Sequence, residues 1–280
     1  MEHELYRLCR EQNIDLLEIL KNKNSYYHTF HIRKRDGTKR PISAPFGGLI
    51  IAQQICITYL ECYPEFIHDS ARAFRRGMSL KHNALPHTDK KKLLKLDLKN
   101  FFGTITYHHI KEKLGDVIAD LTTLNGIVPQ GAPTSPIISN IVAYEMDCKM
   151  EEWARAHCLS YTRYADDMAF SGNEIPINYK EELNDIVTFF GFIINRKKTK
   201  LISSNKEQCV TGVTVNKKDP SISKRRCRHK LRAVLHYYGK NKLELTEEIK
   251  GLLSYIQSVN RIQYLKLMGD YERRKQREVG

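Results

Sequence analysis

Several features are scarce in this sequence, and each absence narrows what the chain can be. No apolar run approaches the roughly 20 residues a helix needs to cross a bilayer, so no membrane span is expected. Met1 to Arg10 is charged and interrupted, unlike a secretory leader. The seven cysteines, Cys9, Cys56, Cys62, Cys148, Cys158, Cys209 and Cys227, are odd in number and show no Cys-x-x-Cys spacing. Small buried thiols in a reduced, cytoplasmic protein account for them most simply. Internal repeats and low-complexity tracts are lacking too.

What is present is ordinary in hydrophobicity and unusual in charge. Hydrophobic residues make up 41% and charged residues 28% of 280, enough chain for a sizeable core. Lys plus Arg number 46 against 32 Asp plus Glu, a net charge of +14. Such a surplus favours a polyanionic partner, nucleic acid or an acidic membrane surface. The basic residues cluster around Arg33 to Arg40, Arg72 to Lys81, Arg196 to Lys200 and Arg225 to Arg232, which favours nucleic acid.

Periodicity divides the chain. Met1 to Lys23 reads as helix with a break at Asn13, and His28 to Ala44 as a hairpin turning at Arg35-Asp36-Gly37-Thr38. Leu49 to Glu61 has helical period, Lys92 to Leu98 is strand-like, and Ile110 to Leu124 is mostly helical. Ser135 to His157 reads as one long helix, with Ser135 as N-cap and Pro136 in the first turn. Tyr179 to Phe190 is a helix stopped by Gly191. Phe192 to Asn195, Leu201 to Ser203 and Cys209 to Val215 read as short strands, and helices follow from Ser223. The central order of strand, helices, hairpin, helix and strand is that of a split βαβ, ferredoxin-like sheet in an α+β protein.

Three stretches carry chemistry. Tyr161-Thr-Arg-Tyr-Ala-Asp-Asp-Met-Ala-Phe170 reads as two strands joined at a bare Ala-Asp-Asp tip. Adjacent carboxylates repel, and a bound cation relieves that repulsion. Asp97 interrupts the apolar strand Lys95-Leu-Asp-Leu98, where a charge is costly unless paired or metal-bound. A ferredoxin-like sheet lays that strand beside the hairpin, so Asp97, Asp166 and Asp167 can converge. Oxygen-only ligation suits Mg²⁺, and two such ions about 4 Å apart are the general device for in-line phosphoryl transfer. In Gly126-Ile-Val-Pro-Gln-Gly-Ala-Pro-Thr-Ser-Pro136, Gly131 permits close backbone approach, Gln130 offers a neutral donor and acceptor, and the following helix N-terminus favours an anion. Taken singly, each has a bland reading: an acidic turn, a paired strand-end Asp, a Pro-rich start to a helix.

Together they resemble the reverse transcriptases of the right-hand polymerase type. Leu96-Asp97 to Phe102 resembles the first palm motif, Pro129 to Pro136 the template-and-nucleotide motif, and Tyr164-Ala-Asp-Asp167 the metal motif in its reverse-transcriptase form. Gly191 to Lys200, with Asn195 and Lys198-Thr199, resembles the motif that follows. The basic hairpin ending in Arg40-Pro41 resembles the fingers element that grips the triphosphate. Asn83-Ala-Leu-Pro-His87 and Val210-Thr-Gly212 are similar to elements of the bacterial retron type.

The resemblance implies an N-terminal helix and fingers over 1–92, a palm with some fingers insertion over 93–216, and a helical thumb over 217–280. It leaves no room for an RNase H, maturase or endonuclease domain. It implies two Mg²⁺, with Mn²⁺ as a substitute, held by Asp97 and Asp166 with Asp167 in support. It assigns nucleotide contacts to Arg33, Lys34, Arg40, Phe102, Gln130 and Lys198, with Phe102 selecting deoxynucleotides. It assigns RNA contacts to Arg72, Arg75, Arg76, Lys81, Asn83, His87, Val210, Thr211, Gly212, Arg225, Arg226, Arg228, Lys230 and Arg232. The implied partners are dNTPs, a structured non-coding RNA serving as template and primer, its RNA-linked DNA product, and a separate effector protein in anti-phage defence. Two rivals stay open: another bacterial reverse transcriptase, group II intron-like or of a different defence type, and an inactive basic RNA-binding scaffold.

Overall fold

Breaks in the apolar periodicity fall where the backbone leaves the helical region. The computed structural model describes residues 2–34, 37–222 and 229–276. Helices Glu2–Glu11 and Leu16–Lys21 part at Asn13, whose φ is 57°. Strand β1 (Tyr27–Arg33) pairs antiparallel with β2 (Lys39–Pro45) as a separate two-stranded sheet. Of the turn expected between them, Arg35 and Asp36 lie outside the described residues. Helix Gly47–Leu60 then packs Leu49, Ala52 and Cys56 into the core formed with Leu5, Cys9 and Ile19.

The central sheet contains β3 (Lys92–Asp97), β4 (Ser160–Tyr164), β5 (Asp167–Gly172) and β6 (Lys200–Ser203), in the spatial order β4-β5-β3-β6, every pair antiparallel. With β3 as first strand, this is the split βαβ order that the element sequence predicts. Two-residue alternation gives the sheet two buried faces. Leu94, Leu96, Tyr161, Met168 and Phe170 pack against Ile138, Met146, Met150, Trp153, Leu183 and Val187 of the helical layer. Leu93 and Ala169 face the other way, into a second cluster with Val210, Val213, Leu253, Ile256 and Val259. That second cluster seats the C-terminal helices His229–Lys240, Glu247–Val259 and Arg261–Gln276 against the sheet.

Several boundaries differ from the sequence reading, each for a local reason. The long helix over Ser135 to His157 is two, Ser135–Val142 and Tyr144–Ala156, because Ala143 takes φ −80° and ψ 0°. Its N-cap residue is Thr134; Ser135 is already helical and its Oγ donates to the Pro129 carbonyl at 2.6 Å. The helical stretch from Tyr107 divides into Tyr107–Leu114 and Asp116–Thr122 at Gly115, with φ 89°. Cys209 to Val215 is not one strand. Thr211 (φ 45°) and Gly212 (φ 88°) turn it into a hairpin of β7 (Cys209–Val210) and β8 (Val213–Thr214), and β9 (Ser221–Ile222) pairs with β8. Phe192 to Asn195 forms only the isolated bridge Leu98↔Ile194 rather than a strand. The helix Tyr179–Phe189 does end before Gly191, whose φ is 77°.

Candidate active site

Asp97 closes β3 and Asp167 opens β5, and the two stand directly opposite each other in the antiparallel register. Opposed residues share a face, so both lie on the side away from the helical layer. Asp166 occupies the two-residue loop between β4 and β5 with Ala165, whose φ is 58°. The Asp166 carbonyl accepts the Leu98 N–H at 2.9 Å, tying the loop to the end of β3.

A third segment closes over Asp97, which is only 5% exposed. Asn195 Nδ2 donates to Asp97 Oδ1 at 3.0 Å and Lys198 Nζ to Oδ2 at 2.7 Å. The Asn195 N–H donates to the Asp97 carbonyl at 2.7 Å. The sequence placed Asn195 in the motif after the metal turn without giving it a role; its place immediately before Arg196-Lys197-Lys198 was the available signal.

Burial acts first on the two loop carboxyls, and repulsion from their acidic neighbours adds to it. Burial pushes the Asp166 carboxyl above its ordinary range and the Asp97 charge adds to this, while its own backbone amide, Lys198 and Arg40 pull it back. Burial raises Asp167 as well, with Asp166 and Asp97 adding, against Lys95 and Lys198. The hydrogen bond to Asp97 holds the Lys198 ammonium above its usual value. Among the described residues no three His, Cys, Asp or Glu side chains form a ready-made metal cage. The donors nonetheless fit a hard divalent cation: they are carboxylate oxygens, buried on Asp97 and half-buried on Asp166 and Asp167, and mutually repelling.

The hairpin β1–β2 reaches this site through backbone contact. The Ser43 N–H donates to the Gln130 carbonyl at 2.8 Å. A Cβ on Gly131 would lie 2.7 Å from Ile42 Cγ2 and 2.9 Å from the Ser43 carbonyl oxygen, and Gly131 has φ 118°. Only glycine admits that approach without displacement. It brings exposed Arg40 close enough for its charge to act on Asp166. Arg33 and Lys34 are exposed further out on the same hairpin. Phe102 is half-buried, its ring 5.6 Å from Phe101 and 6.5 Å from Phe74.

The reverse transcriptase (RNA-dependent DNA polymerase) family profile matches residues 32–245. The chain belongs to the reverse transcriptase family, in its retron type. It is 33% identical over 272 residues to the retron Mx65 reverse transcriptase of Myxococcus xanthus, covering 84% of this chain and 62% of that protein. It is 28% identical over 206 residues to the retron Ec86 reverse transcriptase of Escherichia coli, covering 70% and 64%. With the retron Ec73 reverse transcriptase of Escherichia coli it shares 30% over 237 residues, covering 73% and 74%. The chain thus spans under two thirds of the length of the first two.

The retron-like elements lie apart from the carboxylates, and three expected RNA contacts need correction. His87 is 0% exposed, with Nδ1 2.7 Å from Ser171 Oγ and Nε2 2.8 Å from Thr162 Oγ1. Asn83 and Val210 are each 2% exposed, and Asn83 Nδ2 donates to Thr211 Oγ1 at 3.2 Å. These side chains join the two elements to each other and to the sheet, so they cannot meet RNA in this conformation. Thr211 is half-buried and Gly212 exposed.

The remaining basic residues divide similarly. Arg75 spends its guanidinium on the His68 and Ala71 carbonyls and on Asp69. Arg72 is half-buried, its N–H donating to the Arg163 carbonyl, and Lys81 is half-buried too. Arg76, Lys230 and Arg232 are exposed. The expected contacts Arg225, Arg226 and Arg228 lie outside the described residues.

Proposed function

We propose that this chain is an RNA-directed DNA polymerase, copying a structured non-coding RNA of its own retron into RNA-linked single-stranded DNA. The observation that carries the reading is the register pair Asp97↔Asp167 with Asp166 fastened to the end of β3. In this reading the β1–β2 hairpin and the N-terminal helices are fingers, the four-stranded sheet is the palm, and the helices after residue 217 are the thumb.

Asp97 and Asp166 would hold two Mg²⁺, with Mn²⁺ as a substitute, and Asp167 would support them. When bound, such ions supply charge stabilisation for in-line nucleotidyl transfer. Arg40, aided by Arg33 or Lys34, neutralises a triphosphate arriving beside Asp166. Gln130 fixes the loop under the hairpin through its carbonyl and offers its amide to sugar or base. Phe102 supports the sugar and disfavours a 2′-hydroxyl. Lys198 neutralises Asp97 and, on a side chain 62% exposed, can turn its ammonium to the departing pyrophosphate. Exposed Arg76, Lys230 and Arg232 grip phosphates of the RNA–DNA hybrid, for which basic surface rather than base readout is suited. Service in anti-phage defence with a separate effector protein completes the proposal.

Primer extension on an RNA template with Mg²⁺ tests it. The wild-type chain should extend with dNTPs, and Asp166→Ala should lower extension at least a thousandfold with RNA affinity retained. RNA binding without extension by wild-type protein would leave the inactive-scaffold reading in its place.

A further inference from the structure

One ion pair is sealed inside the protein directly beneath the carboxylate loop. Arg163, on β4, and Asp147, on the helix Tyr144–Ala156, both have side chains that are 0% exposed. Arg163 Nε donates to Asp147 Oδ1 at 2.8 Å and Nη2 to Oδ2 at 2.6 Å. Tyr161 donates its hydroxyl to the same Oδ1 at 2.7 Å. The guanidinium lies 5.6 Å from the centre of the Phe101 ring. Its remaining arm, Nη1, donates to the Ala165 carbonyl at 3.1 Å.

That last contact reaches the loop at its strained residue. Ala165 has φ 58°, a conformation L-residues adopt at a cost. A trans peptide is planar, with C=O and N–H pointing opposite ways. Holding the Ala165 carbonyl toward the helical layer therefore turns the Asp166 N–H toward the cleft. The backbone of Arg163 is itself fixed: its N–H donates to Ser70 and its carbonyl accepts from Arg72, each at 2.8 Å. Burying two charges where apolar residues would pack is not needed for stability alone. A bidentate fork that also reaches a carbonyl is a geometry only arginine supplies.

We infer that Arg163 is a positioning residue: it locks the Ala165–Asp166 peptide plane and so the direction from which the Asp166 carboxylate meets its metal, and Asp147 holds Arg163 in place. The inference deepens the polymerase reading and rests on it. Without the Nη1 bond the Ala165 carbonyl loses its tie to the helical layer, and the Leu98 N–H on the Asp166 carbonyl is left to hold the loop with the peptide plane less tightly fixed.

The test compares wild type with Arg163→Met/Asp147→Leu/Tyr161→Phe, which removes both buried charges and the orphaned hydroxyl together, and with Arg163→Lys. Mn²⁺ affinity is read by electron paramagnetic resonance, half-maximal Mg²⁺ by primer extension, and folding by thermal denaturation and RNA binding. The triple variant should keep its fold and RNA affinity while Mn²⁺ affinity falls at least tenfold and half-maximal Mg²⁺ rises equally. Arg163→Lys, which keeps the charge but not the fork, should move the same two readings in the same direction by a smaller factor. A folded triple variant with wild-type metal dependence overturns the inference. If the triple variant does not fold, wild-type metal dependence in Arg163→Lys overturns it. Failure of the polymerase reading shows separately, as absence of extension by wild type, and the Mn²⁺ comparison does not depend on extension.

Discussion

His87 makes the stability of this protein sensitive to mild acid, and the effect has a calculable size. Burial first, then the nearby charges of Lys90 and Arg72, push its imidazole down to about 3. In the unfolded chain the ring returns to about 6.5. Between those values the unfolded chain binds a proton that the native protein refuses, so acid favours unfolding. The contribution is full above pH 6.5 and is lost progressively as pH falls toward 3. From pH 8 to pH 5 the linkage amounts to about 2 kcal/mol, a figure set by the unfolded value and insensitive to how low the native value lies. For a chain of this size that is a fall of about 4–8 °C in melting temperature. Other groups titrate too, so the informative measurement is the stability gap between wild type and His87→Gln, by denaturant unfolding at both pH values. The gap should narrow by about 2 kcal/mol at pH 5. A gap independent of pH, or a His87 ring titrating near 6.5 by NMR, would refute the reasoning.

Three further outcomes follow from the site. Gly131→Ala should destabilise by at least about 1–2 kcal/mol from its positive φ alone, and the clash with the Ser43 carbonyl should separate hairpin from loop. Its diagnostic is a raised KM for dNTP, and an unchanged KM would dissociate the Gly131 approach from Arg40. Phe102→Ala should raise ribonucleotide incorporation about tenfold or more; unchanged discrimination removes the aromatic from sugar selection. RNA affinity should fall steeply with salt, by about 0.7–0.9 in log K per log salt for each phosphate contacted, and Arg232→Ala should reduce that slope by nearly one such step. A flat response would contradict the basic-surface assignment.

The sequence carried more of the centre than of the edges. Alternation in Lys92–Asp97 and Ser160–Gly172 fixed which side chains face the helices, because a strand offers only two faces. The element order fixed the sheet order, because a hairpin inserted between crossover strands has few ways to pair. Helix boundaries at Asn13 and Gly191 were legible through residues that tolerate positive φ. The break at Ala143 was not, since alanine gives no local signal there.

Composition and motif order thus determined the family, the sheet and the identity of the acidic residues. Only the tertiary structure decided what each side chain is free to do. Asn83, His87 and Val210 were assigned to RNA by motif resemblance, which carries no information on burial, and packing across the sheet buries them. Arg163 read as one more residue of a strand, yet the face it shares with Tyr161 delivers it to Asp147. Hydrogen-bond partners far apart in the chain meet only when the sheet closes, and no local pattern records which acceptor a buried donor will find.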